Sequence, residues 1–404
     1  MEVNIVDAIC GSGKTSAAIN MMNQEGFGEK RYLYITPYLN EVERVKKACA
    51  SKHFVEPKAK GSKLADLKRL VLRGANIVST HALFSMFDQE LIELCRNKGY
   101  ILVMDEVANV VERMEIGPKD TKFLLSQTTL EDSGLLVWND PDYHEGLYEK
   151  YKRLVDLKAI YCYSGTILIW NFPVECFKAF NESYILTYMF DSQMQKYYYD
   201  MHGIEYNYLG VAGDSLDTYH FTKERNNFNF KYGPLIHIYY NEKMNTVGNE
   251  AYDLSKNWYN RVCKPTASVE DKKKAFEHQK NCIYNYFRNI TKTPSNLNMW
   301  TTFKDYRSAL SGPGYAKGFV SCNARGTNEY RDRKALAYMV NRFQDPCVVN
   351  FFIKHNITVD QDGYALSELI QWLFRSALRD KQEIDVYIPS LRTRDLLENW
   401  CKEN

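Results

Sequence analysis

Short apolar runs alternate with longer amphipathic stretches over roughly the first 190 residues of the chain. Val3 to Ala8, Tyr32 to Thr36, Asn76 to Ser79, Tyr100 to Asp105 and Ala159 to Ser164 have the length and content of buried strands. Helical patterns fill the gaps, the first from about Lys14. Strands separated by helices predict parallel pairing through right-handed crossovers, and so an α/β fold of mostly parallel sheet flanked by helices. Ligands of such sheets gather at the C-terminal ends of the strands. Gly11 to Thr15, Thr36, Thr80, Asp105 and Ser164 all fall at those ends. Residues from about 185 to 232 lose this regularity and are rich in Tyr, Asp and Asn, which predicts a connector or an inserted subdomain. A second alternating block opens at Pro234. Its strand candidates follow at Asn296 to Phe303, Lys317 to Ser321 and Glu383 to Ile388, with a charged helical stretch from Val269 to Asn289. The expected division is 1–188, 189–232 and 233–404.

A chain of 404 residues suits two domains better than one. Lys and Arg number 52 against 50 Asp and Glu, a net charge of +2. That balance excludes binding to nucleic acid by bulk charge alone and leaves room for a local basic channel. Ten Cys are scattered singly with no CxxC pair, which predicts reduced thiols and argues against a zinc ribbon or disulfide scaffold. The N-terminus has no basic leader before an apolar core, and no apolar run approaches the roughly 20 residues of a membrane span, so the expectation is a cytoplasmic protein without a membrane partner. The thirty Tyr are spread along the whole chain, a pattern of compositional bias more than of a stacking platform. Their densest stretch, Tyr184 to Tyr208, fits either core packing or a strand-separating wedge.

The segment Ala8-Ile-Cys-Gly-Ser-Gly-Lys-Thr15 joins a predicted strand to a predicted helix. Gly11, Ser12 and Gly13 let the backbone approach a triphosphate closely. Lys14 suits the β- and γ-phosphates, and Thr15, followed by Ser16, suits Mg²⁺ and the phosphate at the helix start. Ala8 stands where such loops usually have their first Gly. The strand Ile101-Leu-Val-Met-Asp-Glu-Val-Ala108 supplies the second half of a nucleotide site. There Asp105 would serve Mg²⁺, and Glu106 would orient and deprotonate the attacking water. Together the two segments predict ATP hydrolysis with Mg²⁺.

With those residues in place, the sequence resembles the superfamily 2 (DExx-box) helicases. Asp105-Glu106-Val107-Ala108 matches the DExx box. Tyr34-Ile-Thr-Pro-Tyr38 is similar to motif Ia, Val78-Ser-Thr-His-Ala-Leu-Phe84 to motif Ib, and Ser164-Gly165-Thr166 to motif III. In the second half, Met299-Trp-Thr-Thr-Phe303 is similar to motif IV, Ser321-Cys-Asn-Ala-Arg-Gly-Thr-Asn328 to motif V, and Gln371-Trp-Leu-Phe-Arg-Ser-Ala-Leu-Arg379 to motif VI. The wording of these last three resembles the compact helicases of bacteriophage replication modules.

The resemblance implies two tandem RecA-like domains, a nucleic-acid track (DNA over RNA) and ATP-driven movement along it, with replication proteins as possible partners and a monomer as the working form. It implies that Thr36, Pro37, Thr80, His81, Thr302 and Ser321 grip the nucleic-acid backbone. For Thr36 and Thr80 helix capping is the ordinary alternative, and for His81 an unremarkable internal hydrogen bond. Ser164, Gly165 and Thr166 would end the last strand of the first domain and couple hydrolysis to movement; a plain tight turn is the alternative. Gly326 and Asn328 would face ATP, with Asn328 in place of the common Asp. Gln371, Arg375 and Arg379 would share one helical face and meet the charge developing on the γ-phosphate. The second Arg follows the first by four residues where the family spaces them by three, which leaves open which is the finger. Loose selection among nucleoside triphosphates is expected, since the sequence shows no adenine-reading segment of the DEAD-box kind. Two other classes share parts of this pattern: a terminase-like packaging ATPase, and an ATP-driven switch that binds nucleic acid or a partner without unwinding.

Overall fold

The computed structural model describes all residues except 25, 27, 29, 60, 144–145, 226–229 and 324–328. The chain forms two compact units, one of residues 1–227 with 344–359 and one of residues 228–343 with 360–404. Among the described residues no helix is long and apolar enough to cross a membrane, and no two cysteines are joined in a disulfide.

In the first unit, strands β1 (Glu2–Asp7), β2 (Arg31–Thr36), β3 (Ile77–Thr80) and β4 (Tyr100–Asp105) lie where the apolar runs predict them. Each is buried along nearly its whole length, the signature of parallel strands covered on both faces. Helices Lys14–Gln24, Leu39–Ala48, Lys63–Leu72 and Gln89–Lys98 connect them. Ser62 and Asp88 cap two of these helices by accepting from Ala65 N and Leu91 N.

The chain then leaves the sheet. Strands β5 (Val111–Arg113), β6 (Thr128–Leu130), β7 (Leu136–Trp138), β8 (Ile160–Tyr163) and β9 (Ile167–Asn171) form two small antiparallel sheets, β5-β9-β8 and β6-β7. They carry a core of their own built on Leu124, Leu136, Trp138, Val155, Ile160 and Leu168. The apolar run Ala159 to Ser164, expected as the fifth strand of the main sheet, is therefore an antiparallel strand of this insertion. Its local pattern suits either pairing, and only the Tyr163–Ile167 register that closes the β8–β9 hairpin decides between them.

The chain returns as β10 (Glu182–Thr187), β11 (Asn207–Ala212) and β12 (His220–Thr222). The main sheet has the order β12-β11-β1-β10-β4-β2-β3, parallel throughout except for the β11–β12 pair. Strands β11 and β12 come from the segment read as connector or insertion, and they extend the sheet beyond β1. Between them and β10, Tyr197, Tyr198 and Tyr199 are buried in the unit's core, so this part of the Tyr-rich stretch packs. Residues 344–359 also belong to this unit, where helix Pro346–Lys354 buries Val348, Phe351 and Phe352 in the same core.

The second unit has a four-stranded parallel sheet of order β13-β16-β15-β14, from Ile236–Tyr239 (β13), Asn298–Thr301 (β14), Ala335–Tyr338 (β15) and Ile384–Tyr387 (β16). Trp300, Ala335, Ala337, Met339 and Tyr387 share a core with the helical stretch 256–290. Lys317 to Ser321, expected as a strand, is reduced to a single bridge between Phe319 and Trp300 after a 3₁₀ turn over Ala316–Gly318. Strand β15 takes its place beside β14.

Candidate functional site

Strand β1 ends at Asp7, and the chain turns through residues 8–13 into helix Lys14–Gln24. Gly11 (φ 84°) and Gly13 (φ 89°) hold the left-handed conformations that this turn needs. The Lys14 ammonium folds back over the loop and donates to the carbonyls of Ala8 (2.5 Å) and Ile9 (3.0 Å). The buried Ser12 hydroxyl has no hydrogen-bond partner among the described residues. Asp7 is buried and fixes the neighbouring chain, accepting from Met189 N (2.8 Å), Phe190 N (3.2 Å) and the Arg225 guanidinium (2.5 Å).

Strand β4 brings Asp105 to the same end of the sheet. Thr15 Oγ1 donates to its carboxylate at 3.4 Å and the Tyr34 hydroxyl at 3.5 Å. Burial, then Glu106 and Glu41, push this carboxyl up to about 7, against the pull of Lys14 and Arg44. A carboxylate so short of positive charge, paired with a hydroxyl from a phosphate-type loop, fits one Mg²⁺ that takes its other ligands from phosphate and water. Glu106 sits at φ 68°, a strained conformation for a residue with a side chain. It is pinned there from both sides: Glu106 N donates to Leu186 O at 2.9 Å, and Ala108 N donates to Gln195 Oε1 at 2.7 Å. Gln195 is fully buried and also bonds the Tyr199 hydroxyl. Sequence reasoning missed Gln195, whose only local signal is its four-residue spacing from Tyr199.

Strand β10 runs between the two halves of this arrangement. Asp7 pairs with Thr187, and Leu186 pairs with Asp105. Ala8 N donates to Thr187 O at 3.0 Å. The Thr187 hydroxyl is buried with no partner among the described residues. This residue too was missed, because nothing local marks which strand lies between β1 and β4. Ser164, Gly165 and Thr166, expected at the end of such a strand, form instead the exposed tip of the β8–β9 hairpin, with Ser164 (φ 50°) and Gly165 (φ 74°) both left-handed. That is the backbone of a tight hairpin turn.

Thr36 and Thr80 pair across β2 and β3. Neither caps a helix through its hydroxyl: Tyr38, after Pro37, holds the N-cap of Leu39–Ala48, and the Thr80 side chain makes no cap bond. The Thr36 hydroxyl is buried without a partner among the described residues. His81 turns inward, its Nε2 2.9 Å from the Asp105 carbonyl oxygen.

In the second unit Thr302 follows β14 and is buried, and the Ser321 hydroxyl donates to Asn323 Oδ1 at 2.5 Å. Gly326 and Asn328 lie outside the described residues. Gln371 lies in helix Gln361–Leu373, which is tied to the chain near Ser321 by a bond from Trp372 Nε1 to Val320 O at 3.2 Å. The helix stops at Leu373, so Gln371, Arg375 and Arg379 do not share one helical face. Ser376 causes the break. Its hydroxyl donates to Leu373 O and accepts from Leu378 N, closing one helix and capping the 3₁₀ turn Ala377–Asp380 that carries Arg379. Arg375 is left in the junction, buried, with its Nε unpartnered among the described residues.

Residues 230–401 match the YonV C-terminal Rossmann-like domain, and residues 111–170 match the YonV middle domain, which is the β5–β9 insertion. Among solved structures, Xpd4 of S. tokodaii aligns with a TM-score of 0.50 at 10% identity, over 99% of this chain and 94% of that one. An XPD helicase aligns at 0.46 and 11% identity, over 100% and 94%. The likeness to Xpd4 shows a shared fold. The SPbeta prophage-derived protein YonV of Bacillus subtilis (strain 168) is 38% identical over 416 residues, covering 99% of this chain and 98% of the relative. At that identity over nearly the full length of both chains, the protein belongs to the YonV family.

Proposed function

We propose that this protein is a nucleic-acid-dependent ATPase of the DExx-box type, a translocase or helicase acting on DNA in phage replication or recombination. One observation carries the proposal: the phosphate-type loop, the Asp105–Glu106 pair and Thr187 meet at the C-terminal ends of three adjacent strands, β1, β4 and β10. The prophage origin named for the relative supports the setting.

Backbone N–H groups of residues 11–15 would cradle the triphosphate, with Ser12 and Ser16 beside them. Lys14 would exchange the Ala8 and Ile9 carbonyls for phosphate oxygens. Thr15 and Asp105 would hold Mg²⁺, which supplies charge neutralisation of the phosphates when bound. Glu106, fixed by its strained turn, would orient water and take its proton. Thr187, whose buried hydroxyl has no partner among the described residues, would sense the γ-phosphate and pass its loss along β10; we assign it the coupling role in place of Ser164 to Thr166. Gln371, Arg375 and Arg379 are assigned to the charge that develops during transfer, and Gly326 and Asn328 to the bound ATP. Pro37, Thr80 and Ser321 are assigned to the nucleic-acid backbone, with the buried Thr36 and Thr302 and the inward-turned His81 supporting them from behind, which makes binding salt-sensitive and sequence-tolerant.

The test is ATP hydrolysis measured without polymer, then with single-stranded DNA, forked DNA and RNA, on the wild type, Lys14→Ala and Arg375→Ala. The expected result is stimulation of about tenfold or more by one polymer, lost in both variants. Hydrolysis indifferent to every polymer would remove the motor reading and leave an ATP-operated switch.

A further inference from the structure

The turn between β11 and β12 brings an aromatic ring onto the phosphate-type loop. Tyr219 packs against Gly13 so closely that a Cβ added there would stand 2.5 Å from its ring carbons. The ring is held, not draped. Asn20, on the helix that follows the loop, donates from Nδ2 to Leu216 O at 2.8 Å and to Tyr219 O at 2.9 Å. The turn is also braced within itself. Thr218 Oγ1 accepts from Asp214 N (3.1 Å) and Ser215 N (3.0 Å), and Tyr219 N donates to Ser215 O at 3.2 Å. On the next strand Phe221 stacks on Tyr184 of β10 at 5.4 Å and 19°, anchoring β12 to the face of the sheet. Tyr219 itself remains only partly buried.

A neutral ring offers nothing to phosphate charge, which the loop amides and Lys14 already match. It offers a flat apolar face to a base. We infer that Tyr219 is the stacking platform for the nucleobase of the bound nucleoside triphosphate, with Asn20 as its positioning residue; this rests on reading residues 8–15 as the triphosphate site. Stacking uses the π-face that every base shares, so this platform accepts ATP and GTP alike. Because the ring is tied to the phosphate helix through Asn20, its position is set before the nucleotide arrives and little ordering cost falls on binding.

The experiment is equilibrium binding of ADP, GDP and pyrophosphate to the full chain, comparing the wild type with Tyr219→Ala, Tyr219→Phe, Asn20→Ala and Lys14→Ala, with thermal unfolding as a check on folding. Tyr219→Ala weakens ADP and GDP equally, raising each Kd about tenfold, and leaves pyrophosphate unchanged. Tyr219→Phe keeps wild-type affinity. Asn20→Ala moves ADP and GDP in the same direction by a smaller factor and, like Tyr219→Ala, spares pyrophosphate. Equal loss of pyrophosphate and ADP in Tyr219→Ala would show that the ring only shapes the loop. Tighter binding of all three would make it a plug over the loop. Unchanged ADP binding would also overturn the platform. Should Tyr219→Ala not fold, the Asn20→Ala result against pyrophosphate decides alone. Wild-type ADP and pyrophosphate binding that Lys14→Ala does not diminish would instead overturn the triphosphate site itself, a failure separate from that of the platform.

Discussion

Thr187 and Thr166 each stand at the end of a short apolar strand of the first unit, and the structure treats them oppositely. Thr187 closes β10, the strand between β1 and β4; its carbonyl accepts from Ala8 N, and its hydroxyl is buried. Thr166 lies on the exposed tip of the β8–β9 hairpin, in an insertion with its own core. Both follow a short apolar run, but Thr187 is the last residue of its own strand, whereas Thr166 comes three residues past β8, after Ser-Gly. The difference lies in the strand's place in the sheet, which is fixed by partners far away in sequence. Under the proposed function, a chemical role at a sheet end follows from that place, which a local motif does not specify.

Substitutions can break or sharpen this contrast. The largest effect is expected at the fixed neighbour of β10: Glu106→Gln lowers the hydrolysis rate by about 10²–10³ while ADP binding is retained, read by steady-state kinetics and equilibrium binding. Thr187→Val lowers kcat by about tenfold with KM little changed. A wild-type kcat in that variant would strip β10 of its coupling role. Stability is expected to respond to pH at the joint between the insertion and the β10 side of the unit. His202 bonds Asn171 Oδ1, at the end of β9, at 3.1 Å. Burial, then Lys178 and His355, push its imidazole down to about 4. Its folded-state value lies below the unfolded one, so the unfolded chain binds the extra proton. Stability is full above about 6.5 and falls as pH drops from there toward 4. His202→Gln flattens that part of a thermal-denaturation series; an unchanged slope would acquit the histidine. The smallest effect is expected at the hairpin, where Ser164→Ala with Thr166→Ala leaves polymer-stimulated hydrolysis within about twofold of wild type, as for surface changes generally. A large loss there would restore the coupling role to the hairpin.

What the sequence showed was what neighbours in the chain decide. The Gly-Ser-Gly-Lys-Thr turn between strand and helix, and the apolar strand that ends in Asp105, are local patterns, and β1 to β4 stand where their apolar runs lie. Arg375 and Arg379 read as one helical face because spacing alone was available. The Ser376 hydroxyl, which ends that helix by bonding Leu373 O, competes with the helix through a side chain that the hydrophobic period does not register. Strand β15 was overlooked because Ala-Leu-Ala-Tyr is short and its Ala and Leu residues favour helix as readily as strand. Tyr219 was hidden among thirty tyrosines, and only the pairing of β11 with β1 brings its turn to Gly13.

Helix Pro346–Lys354 completes the core of the first unit although it follows most of the second unit in the chain. On the ribosome this sets an order of events. When residue 227 emerges, the first unit still lacks the side chains of Val348, Phe351 and Phe352. The whole of 228–343 must then be made, on the order of ten seconds at ordinary elongation rates, before the missing helix can arrive. The nascent first unit therefore waits unfinished, and its final consolidation is deferred until nearly all of the chain has been synthesised.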